Sequence, residues 1–278
     1  MERSARNAKL GILAGGGPLP RKLARTCLES GRDVFMIAFT GHTDIATPEG
    51  VPHVWVRLGA VGKAIDRLRR EGVSDLCMIG LVRRPSLREL MPDARGTRLA
   101  ARVGLNARGD DSVLQALNRA LADEGFRVVG VHELLDDLLA RPGLLSERAP
   151  DRQDHTDIAR ALDVARAIGA LDVGQGAVVQ QGVVLAVEAA EGTDAMLDRC
   201  AGLRRDGGGG VLVKVRKPQQ DNRVDLPTIG VTTVERAAAA GLSGIAVEAG
   251  GALIHDSAAV AETANRLGLF VLCFEIAS

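Results

Sequence analysis

The densest chemistry in the chain lies between Lys214 and Pro227. The stretch reads Lys214-Val215-Arg216-Lys217-Pro218-Gln219-Gln220-Asp221-Asn222-Arg223-Val224-Asp225-Leu226-Pro227. Two lysines and two arginines are interleaved with two aspartates, in a run too irregular for helix or strand. Carboxylates a few residues apart hold a hard cation, and nearby ammonium and guanidinium groups hold phosphate. A second acidic cluster, Glu188-Ala189-Ala190-Glu191-Gly192-Thr193-Asp194, follows directly on an apolar run. Each cluster alone reads as a solvated loop with incidental ion pairs. Together, beside apolar strands, they read as a site for phosphate chemistry with a divalent metal. Hydrolysis of a phosphoanhydride needs a polarised phosphorus, a positioned water and charge for the leaving phosphate. Magnesium held by carboxylates supplies the first and activates the second. Lysine or arginine supplies the third. On residue type, Asp221 and Asp225 with Glu188 or Glu191 are candidate metal ligands or a water-orienting base. Lys214, Lys217 and Arg223 are the cations at hand.

Three further stretches invite attention. Gly11-Ile12-Leu13-Ala14-Gly15-Gly16-Gly17-Pro18 places glycines at the end of a first strand, where backbone N–H groups approach phosphate. Gly15, Gly16 and Gly17 are therefore candidate nucleotide contacts. The full GxGxxG spacing is absent, since Pro20 stands where the third glycine would fall, and no P-loop lysine follows. The second strand leads into Thr40-Gly41-His42, with no acid placed at once to hold a ribose, which disfavours a nicotinamide cofactor. Arg83-Arg84-Pro85 follows a buried strand, and arginines at such an edge often face a ligand crevice. Gln180 and Gln181 put two amides where apolar alternation expects a core, so they need partners, either backbone or ligand. Asp194 also suits a helix cap, as do Asp110 and Asp111 after Arg108-Gly109. His155 and His255 read as structural.

These residues sit on a regular alternation of elements. Strand-like runs at Lys9–Ala14, Val34–Phe39, Val54–Val56, Asp75–Leu81 and Phe126–Val129 alternate with helical patterns at Pro18–Ser30, Val61–Arg70 and Asp111–Glu124. That pattern implies a mostly parallel sheet covered on both faces. Around Arg141-Pro142-Gly143 and Ala149-Pro150-Asp151 it breaks. The second half restarts with a helix over 156–168 and a hairpin, Ala177–Gln181 and Val183–Val187, joined through Gly182. Strands at 211–215, 243–248, 251–255 and 269–274 follow, with helices at 195–203, 233–240 and 257–267 between them. The expected architecture is α/β in two domains. Residues 1–135 form a Rossmann-like, nucleotide-contacting domain with a parallel sheet. Residues 136–154 are a linker. Residues 155–278 form a mixed α/β domain carrying the acidic site.

Composition narrows the function classes. A chain of 278 residues with 46% hydrophobic residues fills real cores. Aromatics are 2% with no tyrosine, which argues against stacking on single-stranded nucleic acid. Thirty-five basic and 35 acidic residues cancel, so there is no electrostatic footprint for a duplex. Cys27, Cys77, Cys200 and Cys273 are scattered, without CxxC spacing, and read as reduced, buried thiols in a cytoplasmic protein. The apolar run 10–13 is too short for a signal peptide or a spanning helix.

The motifs together resemble the LpxI family of UDP-2,3-diacylglucosamine pyrophosphatases of lipid A biosynthesis. The resemblance is carried by Gly11–Pro20, Gly80–Pro85, Gln180-Gln181-Gly182, Val187–Asp194 and Lys217–Pro227, and the last two are the most specific. It implies a hydrolase dependent on Mg2+ (or Mn2+). The reaction would cleave UDP-2,3-diacylglucosamine to UMP and 2,3-diacylglucosamine 1-phosphate (lipid X) in the cytoplasm. Two domains would hold the site between them. Read this way, Asp225, Asp221 and Lys217 are the catalytic set, with Asp225 foremost. Gly15, Gly16, Gly17, Arg83, Gln180, Gln181, Thr193, Lys214 and Arg223 bind substrate, and Glu188, Glu191, Asp221 and Asp225 hold metal. A substrate with two acyl chains needs an apolar cleft and brings the enzyme to the inner-membrane surface as a peripheral protein. A homodimer stays open. The competing readings are a lipid- or nucleotide-carrying protein, which leaves the paired acids idle, and a sugar nucleotidyltransferase.

Overall fold

The computed structural model describes residues 8–82, 93, 96–97, 110–219 and 226–276. Contacts divide the chain into two compact units, one built on Met1–Leu135 and one on Asp136–Asn222 with Leu226–Ser278.

The first unit runs β1 (Leu10–Ala14), α1 (Leu19–Glu29), β2 (Val34–Phe39), β3 (His53–Val56), α2 (Val61–Arg70), β4 (Asp75–Ile79), α3 (Asp110–Asp123), β5 (Arg127–Val128) and α4 (Val131–Leu134). The sheet has the order β3-β2-β1-β4-β5 and every pairing is parallel. This is the strand order of a Rossmann-type half-sheet. Strand alternation splits the core. Ile37, Ile65, Leu68, Leu76 and Leu121 pack on the face of α2 and α3. Helix α1 buries Leu23, Ala24 and Cys27. Gly11 is required at the centre, because a Cβ there would lie 2.6 Å from Leu76 and 2.8 Å from Val73. Asp75 starts β4 almost fully buried. It accepts from Arg32 Nη2 at 2.5 Å and from Arg127 Nε and Nη2 at 2.9 and 2.6 Å. Buried carboxylates persist only when paired in this way.

The second unit runs β6 (Gly143–Leu144), α5 (Arg152–Ala170), β7 (Gly176–Gln180), β8 (Val183–Val187), α6 (Gly192–Cys200), β9 (Val211–Lys214), β10 (Thr228–Ile229), α7 (Val231–Ala239), β11 (Gly244–Glu248), β12 (Leu253–Ile254), α8 (Ser257–Leu267) and β13 (Phe270–Phe274). Its six-stranded sheet has the order β6-β13-β11-β9-β7-β8, and β10 pairs with β12 alone. Strands β9, β11 and β13 are mutually parallel. Strand β7 runs against β9, and β8 against β7. Hence β8, β9, β11 and β13 all end at one edge. Helix α5 covers one face through Ile158, Ala161 and Ala165. Helices α6, α7 and α8 cover the other through Met196, Leu197, Val234, Ala237, Val260 and Ala264.

The break expected as a linker over 136–154 folds into this second unit. Ala140 N donates to Ala252 O at 2.9 Å, Leu145 N donates to Val271 O at 2.9 Å, and β6 pairs with β13. Proline and glycine signal irregular backbone there, and irregular backbone satisfied by a neighbouring strand is still ordered structure. Helix α5 also starts earlier than the sequence suggests. Asp151 Oδ1 accepts from Asp154 N at 2.8 Å, and Asp154 Oδ2 accepts from Asp151 N at 3.1 Å. That reciprocal cap fixes the start at Arg152 and puts His155 inside the helix.

Candidate functional site

The carboxyl edge of the second sheet gathers the charged groups. Lys214 closes β9 and Glu188 follows β8, each beside the central strand β7. Antiparallel register sets Gly176 opposite Lys214, and Glu188 N donates to Gly176 O at 2.8 Å. The three residues therefore form one row on one face, and the middle one has no side chain. Over Gly176 the Lys214 ammonium comes to 3.6 Å from Glu188 Oε1. A Cβ on Gly176 would sit 2.9 Å from Glu188 Oε2. Thr193 reaches the same point from the head of α6, after the chain turns at Gly192 with φ 78°. Lys214 Nζ donates to Thr193 Oγ1 at 2.6 Å, and Thr193 Oγ1 donates to Glu188 Oε1 at 2.5 Å. An ammonium has no acceptor, so the hydroxyl proton goes to the carboxylate. Lys214 also lies 3.5 Å from Thr228 O, at the start of β10. Lys214 is 4% exposed and Glu188 6%. Removing one partner of such a buried pair costs roughly 3–5 kcal/mol, because the other charge is left stranded. Glu188 Oε2 is buried and has no hydrogen-bond partner among the described residues.

Beyond Lys214 the chain runs along this edge, anchored at each step. Val215 N donates to Gln175 O at 3.0 Å. Arg216 meets the buried Glu248 at the end of β11, its N–H at 3.0 Å from Oε2 and its Nε at 2.8 Å from Oε1. Lys217 pairs with Asp172, which turns the chain after α5 in the left-handed region at φ 56°. Gln219 Nε2 donates to Gly169 O at 2.8 Å. Asp221, Arg223 and Asp225 lie outside the described residues, as does Arg83. On the return, Thr228 Oγ1 donates to Leu226 O at 3.1 Å and Leu253 N donates to Pro227 O at 2.8 Å.

The acids described here do not by themselves make a metal centre. No group of three or more His, Cys, Asp or Glu side chains is gathered for a cation among the described residues. Glu191 pairs with Arg199 at 2.7 Å, and Arg199 also donates to Val187 O at 2.5 Å. Backbone N–H, first its own, and the Arg199 guanidinium hold the Glu191 carboxyl below the usual carboxylate range. Asp194 lies in the first turn of α6, 3.6 Å from Arg236. A cation at Glu188 would stand beside the Lys214 ammonium, an unfavourable neighbour at 3.6 Å from Oε1.

The two glutamines are placed elsewhere. Gln180 ends β7, four residues from Gly176 and so about 13 Å along the strand from the Lys214 row. It stands at the opposite edge of the sheet. Its amide is taken up by the loop before β9. Nε2 donates to Arg205 O at 3.1 Å and Gly208 O at 2.5 Å, and Oε1 accepts from Arg205 N at 2.9 Å. Gln181 Nε2 donates to Asp206 O at 3.0 Å. Asp157 of α5 accepts from Gln181 N at 2.9 Å and Gly182 N at 2.7 Å, closing the hairpin. The sequence grouped these amides with Lys214; the strand direction separates them.

In the first unit the glycine turn is closed on itself. Gly15 N donates to Ile79 O and Gly16 N to Leu81 O, both at 2.8 Å. Gly17 N donates to Asp44 Oδ2 at 2.7 Å, so a carboxylate already sits at the head of α1. A Cβ on Gly15 would lie 2.6 Å from the Gly80 carbonyl. The glycines thus let two backbones approach each other. Gly176, Asp172, Glu248, Thr228 and Asp44 were not singled out from sequence. Only Glu248, an acid closing an apolar strand, carried a local signal.

A parallel Rossmann-order sheet in one unit, and in the other a mixed sheet with a buried lysine–carboxylate row at its carboxyl edge, define a two-unit α/β protein. The chain matches the LpxI N-terminal domain over residues 9–138 and the LpxI C-terminal domain over residues 141–272. It belongs to the LpxI family. It is 46% identical over 271 residues to the UDP-2,3-diacylglucosamine pyrophosphatase LpxI of Caulobacter vibrioides, covering 95% of this chain and 96% of that one. Among solved structures, CobK precorrin-6A reductase aligns at a TM-score of 0.35 and 16% identity, over 98% of this chain and 89% of that one. That likeness is too slight to carry an argument.

Proposed function

We propose that this protein hydrolyses the diphosphate of UDP-2,3-diacylglucosamine to UMP and 2,3-diacylglucosamine 1-phosphate, a step of lipid A biosynthesis. The observation that carries this reading is the near full-length match at 46% identity, with both family domains present in order. Water adds to one phosphorus, the bridging P–O bond breaks, and the leaving phosphate keeps the electron pair. Asp225 is the carboxylate on which turnover depends, with Asp221 beside it in sequence. Lys217 and Arg223 supply charge for the diphosphate. A bound Mg2+ or Mn2+ would polarise the phosphoryl oxygens. Its ligands, on residue type, are Asp221 and Asp225. No helix among the described residues is long and apolar enough to cross a membrane, and the reading places the enzyme in the cytoplasm, in peripheral contact with the membrane that holds its lipid substrate.

The test is UMP release, followed chromatographically, from UDP-2,3-diacylglucosamine and from UDP-sugars without acyl chains. We expect turnover of the acylated substrate alone. Excess EDTA should stop it and Mg2+ or Mn2+ restore it. Asp225→Ala should lower kcat by about 100-fold or more with an unchanged far-UV spectrum. Activity in excess EDTA would remove the metal, and loss of folding in the variant would make Asp225 structural. Binding without UMP release would favour a carrier, and pyrophosphate release from UTP plus sugar phosphate a nucleotidyltransferase.

A further inference from the structure

Lys214 ends β9, where the 215–227 connection begins, and its ammonium lies against Thr228 O, where that connection has just ended. Lys214 therefore precedes the segment that carries Asp221 and Asp225, and its side chain reaches the residue that follows it. Lys214 is itself held by Thr193 at 2.6 Å, and Thr193 by Glu188 at 2.5 Å, with Gly176 leaving the space in which they meet. The chain of donors runs one way, from ammonium to hydroxyl to carboxylate. The four places it joins are the end of β8, the head of α6, the end of β9 and the start of β10. All three side chains are supplied by the second unit, and the neighbouring Arg216 is separately committed to Glu248.

We propose that Glu188, Thr193 and Lys214 are positioning residues. They form a clasp that fixes the two ends of the 215–227 connection, and Glu188 serves Lys214 and not a divalent cation. The proposal deepens the pyrophosphatase reading and rests on it for its effect on turnover. A clasp that sets the geometry of a reacting segment acts on kcat, because small misplacements of a catalytic group are costly while binding contacts elsewhere persist. A cation ligand acts on metal affinity, and a substrate contact acts on KM.

The test uses the full chain and the variants Thr193→Val, Thr193→Ser and Glu188→Gln. Thr193→Val is expected to lower kcat about tenfold or more with KM little changed, and Thr193→Ser, which keeps the hydroxyl, to restore it. Amide hydrogen exchange at 193–196 and 228–229 should quicken in Thr193→Val and return in Thr193→Ser. Mn2+ affinity, titrated by calorimetry, should fall no further in Glu188→Gln than in Thr193→Val, because both changes loosen the same segment. A loss of Mn2+ affinity about tenfold or more greater in Glu188→Gln than in Thr193→Val would make Glu188 a ligand and overturn the proposal. A rise in KM at constant kcat would make Thr193 a substrate contact and also overturn it. Should the wild-type chain release no UMP, the functional reading falls, while unchanged exchange in Thr193→Val would separately sink the clasp.

Discussion

At the scale of single residues, Gly176 shows how an absent side chain makes a site. Lys214 ends β9 and Glu188 follows β8, with β7 between those strands, and the two meet because nothing rises from the strand between them. Gly176→Ala would put a methyl group 2.9 Å from Glu188 Oε2. The carboxylate end must then shift, which disturbs the oxygen paired with Lys214. We expect a loss of about 1–3 kcal/mol, measured as a lower urea midpoint. In a Glu188→Ala background the same change should cost far less, since the carboxylate it displaces is gone. Equal losses in both backgrounds would show that the methyl group clashes with the strand and not with the pair. Nothing near Gly176 in sequence signals this role. Glu188 and Lys214 were visible as charges beside apolar runs, but their bond to one another was not.

At the scale of elements, the hairpin of β7 and β8 was legible from two apolar runs around Gly182, and its turn is built from Gln181 and Gly182 at φ 52° and 75°. What the hairpin is for was not legible. Its tip is closed by Asp157 of α5, and Gln180 holds the loop that leads into β9. Both amides looked like ligand contacts because a buried amide needs partners and the sequence does not name them. Here the partners are backbone groups of residues 205–208. Gln180→Leu keeps the volume and strands those groups. It should cost about 1–3 kcal/mol, and it should speed protease nicking within 204–210. Unchanged nicking would mean that the glycine run keeps its form without Gln180. The glycine turn after β1 follows the same logic, since its N–H groups serve β4 and Asp44.

At the scale of the whole molecule, the four thiols are all buried and unpaired. Burial pushes Cys77 up to about 12 and Cys273 up to about 11, and it raises Cys27 and Cys200 as well. In the unfolded chain these thiols ionise near 9. Because the folded values are the higher ones, stability from the neutral thiols is complete below about pH 8. It is lost as pH rises past the unfolded value toward 11–12. The urea midpoint should therefore fall between pH 8 and pH 10, and Cys77→Ala should flatten that fall. A midpoint as steep in the variant as in the parent would assign the alkaline loss to other groups. The same burial predicts no labelling by a thiol reagent until denaturant is added.

The order of strands and helices, the hairpin, the buried cysteines and family membership are all written locally, because periodicity and short motifs need only near neighbours in the chain. Which edge of the sheet each polar residue occupies was decided by tertiary structure. A residue at the end of a strand faces one edge or the other according to that strand's direction. Direction is set by pairing with segments far away in sequence. Lys214, Glu188 and Gly176 share a row because β7 runs against both its neighbours, and that same reversal carries Gln180 to the far side.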